Sequence, residues 1–251
     1  MFGLFGMLTV SACSSPSIGS LGARDDKAET TQLRVARAAM SAGRPETAVQ
    51  VLSERLQRDP ADTEALLRRG QALNAMGQPA EAAQDFARVI AAKPRWADAL
   101  IGLARARMAQ GRADEAEAAW RKALALRADD AHIQTGLAVA LDLQGRHDEA
   151  QAIYRTLLSR NPDDVAARAD LGYSLALSGR AGDALPLLRS VVKAGTGGER
   201  SGFDARMRHN LAVGLMLAGD EAEARKVLGQ DLSSSEVDAA VSGLRRFASA
   251  R

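Results

Sequence analysis

Cysteine is almost missing from this chain: Cys13 is the single one among 251 residues. No disulfide can form within the chain, and neither a CxxC pair nor a Cys/His set with metal-ligand spacing exists. Aromatic residues are scarce, 4% against 46% for all hydrophobic types, so a core must be assembled mainly from Ala and Leu. Those residues favour closely packed helices, whereas sheets draw on β-branched and aromatic side chains. No run of about 18 apolar residues occurs, which leaves no membrane-spanning helix in the mature protein. Neither sign of charge dominates, with 33 basic against 31 acidic residues scattered along the chain. A broad basic field is therefore lacking, and nucleic acid is not an expected partner. The length suits one or two ordinary domains or one repeat array.

What is present begins at the N-terminus, where residues 2–10 are almost wholly apolar and Val10-Ser11-Ala12 places small residues before Cys13. An apolar run ending in small residues has the form of a secretory signal. Val-Ser-Ala-Cys resembles the lipobox of bacterial lipoproteins, and the resemblance implies that Cys13 becomes the first residue of the mature protein and carries covalent acyl lipid. Several acyl chains, at about 0.8 kcal/mol per buried CH₂, give stable anchoring that one chain does not. Ser14 rather than Asp after the Cys implies, by the same analogy, export to the outer membrane. No Lys or Arg precedes the apolar run, as a start codon upstream of Met1 would explain. Residues 1–12 are thus expected to be a signal peptide and 13–30, rich in Ser and Gly, a flexible tether reaching about 20–25 Å.

Internal repetition dominates the rest. Gly43, Gly77, Gly111, Gly145 and Gly179 recur every 34 residues, and Ala48, Ala82, Ala116, Ala150 and Ala184 follow each by five. Bulky Leu52, Phe86, Trp120, Tyr154 and Leu188 stand four further on, and Pro60, Pro94 and Pro162 close three of the units. A helix ends cheaply at Gly, where φ > 0 costs little. Pro45 and Pro79 fit the first position of the next helix, and acidic residues such as Glu81 and Glu115 complement its dipole. Period and residue types match the tetratricopeptide (TPR) repeat. A sixth copy, with Leu211, Ala212, Gly219 and Ala224, follows an insertion near 194–204. Ser233-x-x-Glu236 has the form of a capping box, and Val237, Val241, Leu244 and Phe247 form one apolar stripe. The expected fold is all-α: a TPR superhelix of about six helical hairpins over 31–232, closed by a capping helix over 233–251.

No catalytic constellation emerges. His132, His147 and His209 fall at polar repeat positions, away from any Cys or HExxH, and read as solvated helix residues. Ser190-Val-Val-Lys193 matches an SxxK pattern, but it stands in the second helix of a repeat without SDN or KTG. The glycines of 195–202 lack the Gly-Lys-Ser/Thr ending of a phosphate loop. Neither an enzyme activity, a cofactor nor a small-molecule substrate is expected.

The repeat resemblance implies that partners lie along the first helix of each unit. Its ninth and twelfth positions are Arg37 and Met40, Gln71 and Asn74, Arg105 and Met108, Val139 and Asp142, Tyr173 and Ala176, and Val213 and Met216. Such a groove is basic and polar toward the N-terminus, where Arg34 and Arg68 add charge, and mostly apolar from the fourth repeat on. It suits a peptide with an acidic and an apolar part. Leu33, Leu67 and Ile101 occupy the position that grips a terminal carboxylate in chaperone-tail TPR domains, so that use is set aside. The C-terminal segments Arg208-His-Asn-Leu-Ala212, Leu217-Ala-Gly219 and Gln230-Asp-Leu232-Ser resemble the TadD family of tight-adherence (Flp) pilus lipoproteins. The resemblance implies an adaptor anchored to the periplasmic face of the outer membrane, with a pilus secretin or another assembly component as partner. A type IV pilus pilotin or a general envelope TPR adaptor shares this architecture and stays open; a subunit of the β-barrel insertion machine fits less well, since that family's repeats are fewer and more aromatic.

Overall fold

A computed structural model describes residues 31–195 and 202–249. The expected signal peptide, Cys13, the tether and most of the insertion lie outside the described residues. These divide into two compact units, one through Ile133 and one from Gln134. Among the described residues there are thirteen helices and no strand.

The first unit holds α1 (Thr31–Ser41), α2 (Pro45–Arg58), α3 (Thr63–Ala75), α4 (Pro79–Ala92), α5 (Ala97–Ala109) and α6 (Ala113–Leu126). The division falls in the first turn of α7 (Ala131–Leu143). The second unit continues with α8 (His147–Arg160), α9 (Val165–Leu177), α10 (Ala181–Gly195), α11 (Gly202–Leu217), α12 (Glu221–Leu228) and α13 (Ser234–Ser249). The fold is an all-α solenoid of helical hairpins.

The turn inside each hairpin is one device used six times. Gly43 takes φ 66°, its N–H bonds to the Met40 carbonyl at 3.1 Å, and the Arg44 N–H reaches back to the Ala39 carbonyl at 2.9 Å. This is the Schellman closure, which satisfies carbonyls left over at the end of α1. The same reach recurs from Gln78 to Leu73 and from Arg112 to Arg107, each at 2.9 Å. Between hairpins an acidic N-cap recurs, though not before α5, whose N-cap is Trp96: the Asp62 carboxylate accepts from the Glu64 and Ala65 N–H groups at 3.0 and 2.9 Å, and Asp164 accepts from Ala167 at 2.9 Å.

Packing explains the Ala at five residues after each Gly. Ala48, Ala82, Ala116, Ala150, Ala184 and Ala224 are all 0% exposed; with only a Cβ there, the two helices of a hairpin can close. The large side chain four residues on fills the space beside the crossing. Phe86, Trp120 and Tyr154 are fully buried, a stabilisation of about 2–3 kcal/mol each relative to exposure. In the second unit α13 packs on both α11 and α12, burying Val237, Val241 and Leu244. Its start departs from a reciprocal capping box: Glu236 takes both the Ser233 N–H at 2.8 Å and the Ser233 hydroxyl at 2.6 Å. Among the described residues no helix is long and apolar enough to cross a membrane.

Candidate partner-binding faces

In the first unit the leading helices lie side by side: α1 touches α3 and α3 touches α5. Among the described residues the following helices do not, since α2 and α4 make no such contact, nor do α4 and α6. Close on one side and splayed on the other, the hairpins curve toward the face made by α1, α3 and α5. The second unit repeats the arrangement, with α9 against α11 and, among the described residues, no contact between α8 and α10 or between α10 and α12.

On the inner face of the first unit, Arg37 is exposed and borders a recess of about 160 Å³ between α1 and α3. Met40, Arg68 and Gln71 line it, with Ala36 and Leu52 beneath. Arg68 also pairs with Glu64 at 2.7 Å, one helical turn away. Asn74 has a structural task, donating to the Gly102 carbonyl at 3.1 Å and so joining α3 to α5. Arg105 is exposed and donates to Nε2 of His132 at 2.5 Å. Burial, and then the Arg105 charge, lower the His132 pKa, so the imidazole stays neutral and can accept. Trp120 meets the His132 ring edge to face, centroids 6.0 Å apart, and gives its indole N–H to the Met108 sulfur at 3.3 Å.

The second unit departs further from expectation. Val139 and Tyr173 are half-buried, whereas Val213 and Met216 are 3% and 9% exposed. Both sit on α11, which carries α13 against it; they contribute packing, not open surface. The repeat template assigns position along a helix, but the final hairpin has a lid that inner hairpins lack.

The mostly apolar groove expected here is also corrected. Asp142, at the twelfth position of the fourth repeat, accepts from the Ser174 hydroxyl at 2.6 Å, from Nδ1 of His147 at 2.8 Å and from the Tyr154 hydroxyl at 3.2 Å. Burial raises the Asp142 pKa, opposed by those hydrogen bonds. Asp170 stands one turn before Ser174, on the same side of α9, and burial together with the Asp142 charge pushes its pKa up to about 7. His147 is therefore no solvated side chain. Nor do Ser174, His147 and Asp142 make a nucleophile with its base, because serine and histidine both bond the same oxygen, Oδ1 of Asp142. The carboxylate is satisfied in place by its neighbours. Among the described residues no group of His, Cys, Asp and Glu could hold a metal ion.

Tetratricopeptide-repeat models match residues 29–72, 73–140 and 144–199, and a further one matches 131–156. No curated protein matches the chain. Among solved structures, a tetratricopeptide repeat protein from Parabacteroides merdae has a TM-score of 0.68 at 16% identity, over 86% of this chain and 83% of its own. PilW, described as a widely conserved type IV pilus biogenesis factor, has a TM-score of 0.65 at 21% identity, over 82% of this chain and 94% of its own. MamA has a TM-score of 0.58 at 21% identity, over 68% and 96% respectively. At these identities the likeness is one of fold.

Proposed function

The chain belongs to the tetratricopeptide-repeat family, and from that premise we propose that this protein-interaction scaffold is a non-enzymatic outer-membrane lipoprotein assisting assembly of a Flp (tight-adherence) pilus or its secretin. The observation that carries the scaffold is the inner face of the first unit, where α1, α3 and α5 lie side by side and leave Arg37 and Arg105 exposed. Curvature toward a polar face gives an extended segment many contacts without any moving part. Tyr173 and Val139 supply half-buried apolar surface on the second unit. The cellular assignment is supported by sequence resemblance: Val10-Ser11-Ala12-Cys13 to a lipobox, Ser14 after it to an outer-membrane export signal, and the C-terminal segments to TadD.

A type IV pilus pilotin-like role is the second reading, favoured by the fold likeness to PilW, which runs over nearly all of that protein. A mild-detergent pull-down of the tagged, lipidated protein separates the two by which secretin is enriched. Loss of that partner on Tyr173→Ala supports the inner face as the site. Enrichment of β-barrel insertion proteins alone sinks both pilus readings and leaves a general envelope adaptor.

A further inference from the structure

We propose that the turn between α4 and α5, Lys93-Pro94-Arg95-Trp96, rests on anionic phospholipid headgroups and sets which edge of the first unit faces the membrane. The contact rests on the reading of the chain as a membrane-anchored scaffold.

Four turns between hairpins stand at the interval of the repeat: Asp59-Pro-Ala-Asp62, Lys93-Pro-Arg-Trp96, Arg127-Ala-Asp-Asp130 and Asn161-Pro-Asp-Asp164. Their backbones close alike, the last residue's N–H bonding the first residue's carbonyl at 3.2, 3.2, 3.3 and 3.2 Å. Asp62, Asp130 and Asp164 then cap the following helix with a carboxylate. Trp96 gives α5 no side-chain cap, so a helix-capping bond is given up here. The other three turns carry net negative charge, whereas this one carries two basic residues and no acid. Because the same backbone forms elsewhere with a capping Asp, closing the turn does not call for the exchange. What the exchange adds is a basic, aromatic tip.

Lys93, Pro94 and Arg95 are exposed and Trp96 is half-buried. The indole packs against the core of the first unit, and Lys93 Nζ lies 4.6 Å from its ring centroid. Asp98, the acid closest along the chain, is held by Arg127 at 2.9 Å. Asp59 and Asp129 are exposed on the turns to either side, so the positive charge is local to this tip, with Arg58 and Arg88 adding to it from the Asp59 side. An indole partly open to water and flanked by long basic side chains suits the headgroup layer of a bilayer. Anionic lipid attracts basic residues that come within a Debye length of it.

The place of the turn in the fold favours lipid over a protein partner. Two chain reversals separate one leading helix from the next, so α1, α3 and α5 run parallel and begin along one edge. Neighbouring helices pack about 8–10 Å apart, so Trp96 stands about 20 Å from Thr31 along that edge. The tether expected over 13–30 joins the array at Thr31 and has a comparable reach, about 20–25 Å. A lipid on Cys13 therefore brings this edge to the bilayer, and the short span gives the turn a high effective concentration of headgroups. A contact too weak to hold a free protein then suffices to orient an anchored one.

The test uses the single thiol of the full-length chain, Cys13, coupled to a maleimide lipid so that anchoring does not depend on cellular acylation. Vesicles hold either phosphatidylcholine alone or phosphatidylcholine with phosphatidylglycerol, in each case with acyl chains brominated near the headgroup to quench tryptophan. Trp96 and Trp120 are the only tryptophans and Trp120 is 1% exposed, so quenching reports Trp96. With phosphatidylglycerol the emission is expected to fall by about a quarter or more, against little change in phosphatidylcholine alone. Trp96→Phe is expected to remove the quenched part. Lys93→Glu with Arg95→Glu, both on exposed positions, is expected to abolish quenching while the circular-dichroism melt stays put. Equal quenching in both vesicles, or quenching that survives the double charge reversal, overturns the proposal. Absence of quenching in every vesicle also overturns it and leaves an acidic protein surface as the partner of the turn. Quenching in the coupled protein, when cells place no palmitate on Cys13, upholds the lipid contact and removes only the natural anchor.

Discussion

Arg69 of α3 holds Asp85 of α4 with both arms of its guanidinium, Nε to Oδ2 and Nη2 to Oδ1, each at 2.8 Å. A further bond from Nη1 reaches Ser53 of α2 at 3.2 Å, so one side chain ties three successive helices. The two partners are unequally buried, with 23% of the Arg69 side chain exposed and 5% of Asp85. Removing the arginine strands a buried carboxylate, which typically costs about 3–5 kcal/mol. Removing the aspartate leaves a guanidinium that water still reaches, and screening reduces the loss to about 1–3 kcal/mol. Arg69→Ala is therefore expected to destabilise more than Asp85→Ala in urea denaturation. Equal losses would mean that the pair stabilises chiefly by tying the helices together.

Gly102→Ala is expected to destabilise although it sits inside a helix. Propensity alone favours alanine there by about 1 kcal/mol. A Cβ at this position would come within 2.4 Å of Cε1 and Cζ of Phe86, a ring that is 0% exposed. Overpacking of this kind costs about 1–3 kcal/mol, so the clash wins and the thermal midpoint falls. Adding Phe86→Leu to the alanine variant is expected to recover part of the loss, which identifies the ring as the cause. A midpoint that rises on Gly102→Ala contradicts the account.

These two relationships differ in how far the sequence announces them. The hairpin turns and the closest helix crossings follow from spacing, because a 34-residue interval between Gly43, Gly77 and their successors leaves few ways to fold a chain rich in Ala and Leu. The glycines with φ between 66° and 84° and the alanines at 0% exposure are the result. Contacts between different units of the repeat are another matter. Asp142 and Ser174 are 32 residues apart, and nothing in either local pattern says that they meet. His147 meets its partner within one repeat, across the turn between α7 and α8, and a polar position in the repeat template does not show that contact. Val213 and Met216 occupy template positions of an inner face, yet only the terminal hairpin carries a lid. Phe86 is legible as the bulky residue four after Ala82, but nothing in that spacing says that its ring lies against Gly102 of the next hairpin.

Cys13→Ala is expected to abolish incorporation of labelled palmitate and to release the protein from the membrane into the periplasmic fraction. Cys13 is the single cysteine of the chain, so no other residue can take its place as the lipidated position. Unchanged labelling and fractionation after the substitution would remove the lipid anchor, and with it the outer-membrane part of the proposed role.

Asp170 gives the second unit an unusual response to pH. Its folded pKa of about 7 lies above the ordinary value of 3.8, because burial and the Asp142 carboxylate disfavour its charge. The folded state therefore holds a proton between pH 4 and 7 that the unfolded chain has already released. Stability contributed by this group falls as pH rises across that window and is constant above it. Asp142, raised in the same direction, adds to the slope, while Glu221 and Glu236, held low by Arg245 and by Ser233, act oppositely at lower pH. Asp170→Asn isolates the effect of this carboxyl, since the amide stays neutral in both states. Relative to the parent, the variant is expected to gain stability from pH 5 to about pH 7 and then to level off, read as the difference between their urea midpoints at each pH. A difference that does not change with pH would mean that the Asp170 carboxyl is ionised in the folded protein throughout, reached by water or by a cation that its surroundings admit.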